Sequence, residues 1–458
     1  MAGIGFELRK LLKEDSLLSY TKLYGYSAIL SSGPWVISIV AILLVGFINL
    51  ANLGAQSEAF RFQVVVTYAI ALASSLIVTG VFQLPFTRYV ADLIFQKREE
   101  EILPSYFGAI FLAWMLGLPF VVPFYLWVFE GQDWFFISSV IATFLILCAV
   151  WISSILAASL KYYKGVVYSY LVSYSLIVVL SYFFGTNIGY LMFIYFLGNA
   201  LLLVLLMSFI IKSYNSTIFL KIDFFLEPNF YWSLGIAGLT YNLGAWVDKF
   251  IFWYHEATGH AVIGKLHASV VYDMPIFLAY LSILPGMAIF FFRLEADFAD
   301  KYDLYYNAVR DGGTLEVIHK YQNDMIEVVR HAMHEILMVQ GIVDIILFLS
   351  APTVFDWLNI PQLYLGLLFI LSVGSLLQLA FMSVLAILHY LNRRVKAMWL
   401  SIAFFVLNTI LTYLSIDMGP SFFGYGYTVS LLIVFIMSLL VIRNEMDRLD
   451  YETFMLQK

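Results

Sequence analysis

The chain contains twelve apolar runs, each long enough to cross the roughly 30 Å hydrocarbon core of a bilayer. Hydrophobic residues make up 62% of the 458 residues and charged residues only 12%, and the mean hydropathy is +0.88. Because soluble domains are usually about 45 to 50% apolar, this composition excludes a soluble protein. The sequence predicts an all-α polytopic membrane protein with twelve transmembrane helices, at approximately 27–50, 62–86, 103–129, 134–160, 165–184, 188–211, 231–254, 270–292, 336–358, 363–391, 397–416 and 422–442.

Lysine and arginine lie almost entirely on one side of the predicted membrane. Of the 25 such residues, 22 fall in the N-terminal segment, the C-terminal tail and the alternate loops on that side. The opposite side has only Arg61 and Lys265, and Lys249 lies within a span. Since cytoplasmic loops are enriched in these residues, we expect both termini to be cytoplasmic.

The layout of the spans predicts two six-helix bundles. Between the eighth and ninth spans, a segment with nine of the 31 acidic residues carries a Gly312-Gly313 turn and apolar residues at helical spacing, which predicts a helical hairpin. The predicted parts are a cytoplasmic amphipathic N-terminus (1–26), the first bundle (27–211), an interfacial linker (212–230), the second bundle (231–442) with its cytoplasmic hairpin (293–335), and a cytoplasmic tail (443–458).

Asp248 and Lys249 are adjacent charges inside the seventh predicted span. They lie about 17 residues into it, or roughly 25 Å, which places them in the outer half of the membrane. An ionisable group in hydrocarbon costs about 3 kcal/mol or more, so such groups usually face a cavity or a partner. Together with Asp273 at the outer start of the next span, they predict either the mouth of a transport pathway or an ion pair that only locks helices together.

A second intramembrane carboxylate, Asp344, lies about eight residues into the ninth predicted span. It is a candidate proton or cation site of a coupled transporter, and a helix–helix hydrogen bond is an equally good interpretation.

Other intramembrane residues are candidates for the pathway or its hinges. Prolines in spans free backbone groups that need protein or water, which favours a cavity or, equally, a static kink. Aromatic side chains away from helix ends offer faces on which sugar rings stack, whereas most other tyrosines and tryptophans suit interfacial belts. The candidates are Pro34, Pro85 and Pro285 for hinges, and Trp35, Tyr241, Trp246 and Tyr280 for the pathway.

No pattern in the sequence indicates an enzyme. The segment 259–265 has the spacing of a phosphate loop, but Leu266 replaces the required Ser or Thr. The histidines lack the companions of a metal site, and the single Cys148 cannot form an internal disulfide. We therefore expect no enzymatic activity, no cofactor, no metal and no nucleic-acid partner.

The opening residues 1–12, Met-Ala-Gly-Ile-Gly-Phe-Glu-Leu-Arg-Lys-Leu-Leu, and residues 26–35, Tyr-Ser-Ala-Ile-Leu-Ser-Ser-Gly-Pro-Trp, resemble the PelG family of inner-membrane exopolysaccharide transporters. The likeness in layout extends over the whole chain. That family is similar in turn to polysaccharide flippases of the multidrug/oligosaccharidyl-lipid/polysaccharide superfamily. In those proteins the seventh span often carries Asp followed by a basic residue and an apolar stretch, as Asp248-Lys249-Phe-Ile-Phe does here.

The resemblance implies a flippase-like fold and export of Pel, a cationic galactosamine-rich polymer, across the bacterial inner membrane. It implies as partners the cytoplasmic glycosyltransferase PelF and the membrane proteins PelD, the family's cyclic di-GMP receptor, and PelE. The hairpin and the N-terminal helix become candidate docking surfaces. Two alternatives remain: a cation-coupled small-molecule antiporter of the same fold, and a scaffold that assembles the synthase without conducting.

Overall fold

The computed structural model describes residues 25, 27, 33–34, 36–48, 56–69, 72–160, 163–226, 231–358 and 361–455, so the predicted N-terminal amphipathic helix lies outside the described residues. Almost all of the described chain is helical. In chain order the elements are α1 (Val36–Ile48), α2 (Gln56–Gln63) followed by a π-helical stretch (Val64–Ala69), α3 (Leu72–Phe95), α4 (Ile102–Val128), α5 (Trp134–Ser159), α6 (Tyr163–Phe184), α7 (Ile188–Ser213), α8 (Asp223–Leu226), α9 (Trp232–Tyr254), β1 (His260–Ile263), β2 (Leu266–Ala268), α10 (Val270–Ser282), α11 (Leu284–Phe292) followed by a π-helical stretch (Arg293–Phe298), α12 (Ala299–Arg310), α13 (Leu315–Leu358), α14 (Leu365–Tyr390), α15 (Arg394–Asp417), α16 (Tyr425–Asp447) and α17 (Leu449–Met455).

Eight helices among the described residues are long and apolar enough to cross a membrane, and α10 with α11 makes a ninth if the bent pair is one span. The first predicted span contains the shorter apolar helix α1. The second predicted span, 62–86, overlaps α3 only from Leu72 onwards, and α3 continues to Phe95, beyond the predicted end; the seventh contains α9. These two helices carry polar residues such as Gln83 and Asn242 as well as the charged pair. Polar residues lower the mean hydropathy of these helices, although each has the 20 or so residues that a span needs.

The described contacts divide the chain into two compact units, one formed by Gly33–Val270 and the other containing everything from Val271 onwards. The first unit therefore includes α9, the seventh predicted span, as well as the helices of the first predicted bundle. The predicted division into two bundles of six spans describes membrane topology and internal repeat. Contact-based units do not test it, so it stays a prediction.

Within the first unit, α9 lies against α3 at a crossing made by glycines. A Cβ atom built on Gly238 would lie 2.2 Å from the main-chain oxygen of Gly80, and one built on Gly235 would lie 3.0 Å from that of Val81. Only glycine allows the two backbones to approach so closely, as small residues do in many membrane helix pairs. Further along, Asn242 Nδ2 donates a hydrogen bond of 3.1 Å to the main-chain oxygen of Leu76. This crossing sets the position of the charged pair that follows on α9.

The predicted linker is fastened to the start of α4 in the same unit. Lys221 Nζ lies 2.6 Å from a Glu101 carboxylate oxygen and 2.8 Å from one of Asp223, and its backbone N–H donates to Pro104 at 3.1 Å. These hydrogen bonds from Lys221 to Asp223 and Glu101 hold the pKa of its ammonium group above the ordinary value of 10.5. The linker is therefore ordered up to the end of α8 and packs against the start of α4.

Within the second unit, the segment between the eighth and ninth predicted spans consists of the π-helical stretch Arg293–Phe298, α12 and the start of the 44-residue helix α13. Gly312, with φ of +71°, supplies the left-handed conformation at the turn between them. The hydroxyl of Tyr305 donates to Asp450 Oδ1 at 2.9 Å, and Gln322 Nε2 donates to the main-chain oxygen of Met446 at 3.0 Å. These bonds attach the helical hairpin to the end of α16 and to the tail that follows it.

Candidate transport pathway

Asp248 and Lys249 form a buried ion pair near the C-terminal end of α9. Asp248 is 0% exposed and Lys249 is 2% exposed. Lys249 Nζ lies 3.1 Å from Asp248 Oδ2 and donates a hydrogen bond of 2.9 Å to the main-chain oxygen of Ala245. Adjacent side chains on a helix point about 100° apart, so the lysine reaches its neighbour only by folding back toward the preceding turn. The two opposite charges make the pair neutral as a whole.

An aromatic ring of α9, Trp246, lies beside this pair. Lys249 Nζ is 5.9 Å from the centroid of Trp246, within the range of a cation–π contact. Trp246 is half-buried, and its ring centroid lies 6.4 Å from that of Phe250 and 6.5 Å from that of the buried Trp253. The Trp246 ring is thus held by a cation and by two other rings, which restricts the area it can offer to a sugar.

The other predicted pathway aromatics are not brought together with Trp246 by any described contact. Tyr241 is half-buried earlier on α9, and Tyr280 is half-buried on α10 in the second unit. Trp35 lies outside the described residues. A carbohydrate path along these side chains stays a prediction.

Asp273 is buried in the first turn of α10, at 5% exposure. It belongs to the second compact unit, whereas the charged pair belongs to the first. The clustering of Asp273 with Asp248 and Lys249 at an outer mouth therefore stays a prediction.

Asp344 lies in α13 beside a break between α10 and α11. Its Oδ1 atom accepts a hydrogen bond of 3.0 Å from Gln340 Nε2 and lies 3.5 Å from the hydroxyl of Ser282. Gln340 Nε2 also lies 3.1 Å from the main-chain oxygen of Ser282. Gln340 is one helical turn before Asp344 on the same face, so its spacing of four residues was a signal available in the sequence. Gln340 thus links the turn that carries Asp344 to the end of α10, and both interpretations of Asp344, a helix–helix contact and a cation site, stay predictions.

The three candidate hinge prolines occupy different positions in their helices. Pro85 is buried inside α3, and its Cγ lies 3.7 Å from a Cβ built on Gly235, so it is part of the glycine crossing. Pro34 is half-buried in a helical turn just before α1. Pro285 is in the first turn of α11, where its missing N–H costs no helical hydrogen bond, and α10 meets α11 at about 40°. The bend near Pro285 is therefore a junction between two helices, and its role as a hinge stays a prediction.

A buried carboxylate that sequence reasoning did not single out is Glu445, which is 0% exposed near the end of α16. Its Oε2 lies 2.6 Å from Arg393 Nε, a close ion contact without hydrogen-bond alignment, and Lys396 Nζ contacts its other oxygen. The basic residues precede Glu445 by about fifty positions, so periodicity offers no signal for this cluster. The two basic side chains neutralise the Glu445 carboxylate close to the predicted cytoplasmic end of the spans.

Among the described residues, no group of three or more His, Cys, Asp or Glu side chains is arranged to hold a metal ion. The segment 259–265 forms β1 and the turn to β2 rather than a loop that opens a helix, with Gly264 at φ of +57°. A β-turn of this kind differs from the phosphate-binding loop whose glycine spacing the segment matches, because that loop leads into a helix.

The comparison with solved structures shows the fold. Over 93% of the chain, the structure is similar to an outward-facing multidrug resistance MATE family transporter of the MOP superfamily (TM-score 0.61, 16% identity, 96% of that chain). A MOP superfamily transporter from Pyrococcus furiosus is similar over the same share (TM-score 0.62, 14% identity, 96% of that chain). A MATE protein in complex with MaL6 is likewise similar over 93% of the chain (TM-score 0.64, 13% identity, 97% of that chain). The predicted all-α, multi-pass, flippase-like fold is confirmed.

The comparison with protein families covers nearly the whole sequence. Residues 1–454 match the family described as "PelG: Putative exopolysaccharide Exporter (EPS-E)". The comparison with curated protein sequences found no match. Because the family match spans almost every residue, including both compact units, this chain belongs to the PelG family of exopolysaccharide exporters.

Proposed function

We propose that this protein exports the Pel exopolysaccharide, a cationic galactosamine-rich polymer, across the bacterial inner membrane while a cytoplasmic glycosyltransferase extends it. The family match over residues 1–454 carries this proposal, and the transporter fold supports it. The protein acts as a conduit without catalytic residues of its own. PelF is the proposed transferase, and PelD and PelE are the proposed membrane partners.

The buried pair Asp248–Lys249 is the proposed contact point for the polymer within the first unit. Its electrostatic neutrality fits a passage that must release a charged cargo, because an uncompensated buried charge would hold an oppositely charged ligand tightly. The Trp246 ring beside Lys249 supplies an apolar face within the same turn of α9. In a state that opens this buried pair, sugar hydroxyls would meet the charged atoms while C–H faces meet the ring.

Vesicles reconstituted with the cytoplasmic side outward test the proposal. Polymer should accumulate in the lumen, protected from an added hydrolase, only when this protein and the transferase are both present with sugar nucleotide. Vesicles with the transferase alone are the control. Polymer that forms normally but stays outside would overturn the export role and favour the scaffold.

A second candidate is a cation-coupled small-molecule antiporter, which the buried Asp344 and the likeness to multidrug MATE transporters favour. The same vesicles would then accumulate a cationic dye in response to an ion gradient without the transferase. Dye uptake that Asp344→Asn abolishes, with no luminal polymer, would replace export by this function.

A further inference from the structure

The carboxylate of Asp344 is buried among neutral partners. It is 4% exposed, and the described groups that contact it are the amide of Gln340 and the hydroxyl of Ser282. No ion pair joins Asp344 to any lysine, arginine or histidine of the described residues, in contrast to Asp248 and Glu445. A lone carboxylate in the apolar part of a span costs several kcal/mol unless something positive accompanies it.

Two oxygen atoms at this place lack hydrogen-bond partners among the described residues. They are Oδ2 of Asp344 and Oε1 of Gln340, and both are buried. A carboxylate oxygen and an amide oxygen are both acceptors, so only a donor or a cation can complete them. A buried acceptor left without a partner costs about 1–3 kcal/mol, so two neighbouring cases indicate that a donor or a cation binds between them.

The backbone supports such a species at the same point. Ser282 is the last residue of α10, and the helix is interrupted there before α11 begins at Leu284. A Cβ built on Gly286 would lie 2.8 Å from Gln340 Oε1, so the glycine lets this oxygen approach the start of α11. Irregular backbone at membrane depth is tolerated where it is buried in protein or lines a water-filled cavity.

The titratable groups on the neighbouring elements do not supply the missing charge. On α10 they are Tyr272, Asp273 and Tyr280, and α11 has none. On α14 they are His389 and Tyr390, at its C-terminal end. On α13 itself, Glu335 is bound to Arg293 at 2.5 Å and Asp356 accepts from Gln362 at 2.6 Å. None of the described contacts of these groups reaches Asp344.

We propose that Asp344, Gln340 and Ser282 form a binding site for a monovalent cation, a proton or Na⁺, at the break between α10 and α11. The atoms that would bind the cation are all oxygens, and oxygen ligands suit hard cations. A divalent ion would need six or more oxygen ligands and usually several carboxylates, whereas this site has a single one. The inference does not depend on which cargo the protein carries, and binding can be measured without transport.

The experiment uses the purified full chain in lipid nanodiscs. Proton binding is measured by infrared difference spectroscopy of the carboxyl group between acidic and mildly alkaline pH. Sodium binding is measured as a rise in unfolding temperature when Na⁺ replaces choline at constant ionic strength. Asp344→Asn removes the charge and keeps the shape, so the variant should fold. Asp356→Asn, an exposed carboxylate on the same helix, is the matched control.

The proposal expects that one of the two signals occurs in the wild type, vanishes in Asp344→Asn and is unchanged in Asp356→Asn. A pH signal alone identifies the proton, and a Na⁺ shift identifies sodium. Gln340→Met should weaken the apparent affinity about tenfold or more, as expected for loss of a hydrogen-bonded oxygen at a charged group. A wild type with neither signal, or a signal that survives Asp344→Asn, would overturn the site whatever the outcome of the export assay.

Discussion

Replacing either Asp248 or Lys249 alone is expected to destabilise the protein more than replacing both together. Lys249→Met removes the ammonium group beside the 0% exposed carboxylate of Asp248, and Asp248→Asn removes the carboxylate beside the 2% exposed ammonium group of Lys249. Breaking a buried pair from one side costs about 3–5 kcal/mol, whereas replacing both partners is often close to neutral. Each single variant should therefore be much less stable than the double variant Asp248→Asn/Lys249→Met.

The size of the unit converts this cost into a temperature. Gly33–Val270 spans about 240 residues, and in a domain of that size 1 kcal/mol shifts the unfolding temperature by about 2–4 °C. We expect a loss of roughly 6–20 °C for each single variant, measured by thermal unfolding in detergent, with the double variant close to the wild type.

An exposed ion pair provides the control for this double-mutant cycle. Lys265 Nζ lies 2.7 Å from Glu130 Oε2, closer than the atoms of the buried pair, but the two side chains are 42% and 73% exposed. The hydrogen bond from Lys265 lowers the pKa of the Glu130 carboxyl, yet water screens the contact, so Lys265→Met should leave the unfolding temperature unchanged. Single variants that behave like this control, or a double variant that loses the sum of both, would refute the reasoning from burial.

Three other perturbations follow from described contacts. Gly238→Val should cost about 1–3 kcal/mol or more of stability, because its Cβ would collide with a main-chain oxygen of α3, while Gly366→Val, with open space around it, should be tolerated in the same unfolding assay. Lys221→Met should lower the free energy of unfolding by about 1 kcal/mol at neutral pH. Because the folded-state pKa of Lys221 is raised, its stabilisation is complete below about 10.5 and is lost as the pH rises through the folded-state pKa, so variant and wild type should converge only in strong alkali. Tyr305→Phe removes the hydrogen bond to Asp450 and should make the tail after α16 more sensitive to limited proteolysis, and an unchanged cleavage rate would contradict attachment of the hairpin by this bond.

Local patterns in the sequence were sufficient for the features that depend on neighbouring residues. The multi-pass helical fold follows from the apolar runs, because a span must satisfy its own backbone hydrogen bonds. The pairing of Lys249 with Asp248 involves adjacent residues, and that of Gln340 with Asp344 follows from helical spacing. Such contacts can be read from the order of residues alone.

Features that depend on distant segments could not be predicted in this way. The crossing of α3 and α9 brings Gly80 beside Gly238, and the spacing of glycines within one helix does not say which helix they face. The cluster around Glu445 combines Arg393 just before α15 and Lys396 in its first turn with the end of α16. Hydropathy also treated α10 and α11 as one span, because the apolar residues continue through the break.

The two intramembrane carboxylates differ in a way that separates their roles. Asp248 has a cation bound within the same helix turn, so its charge is balanced whatever the protein carries. Asp344 has only neutral described contacts, so its charge is balanced only when a mobile cation is present. A ligand shifts a conformational equilibrium only through different affinities for the two states, and a carboxylate at a helix break provides such a difference if the break changes geometry. On the proposed cation site, Asp344 is therefore the residue at which an ion gradient would act, whereas the pair on α9 carries no net charge for such a gradient to act on.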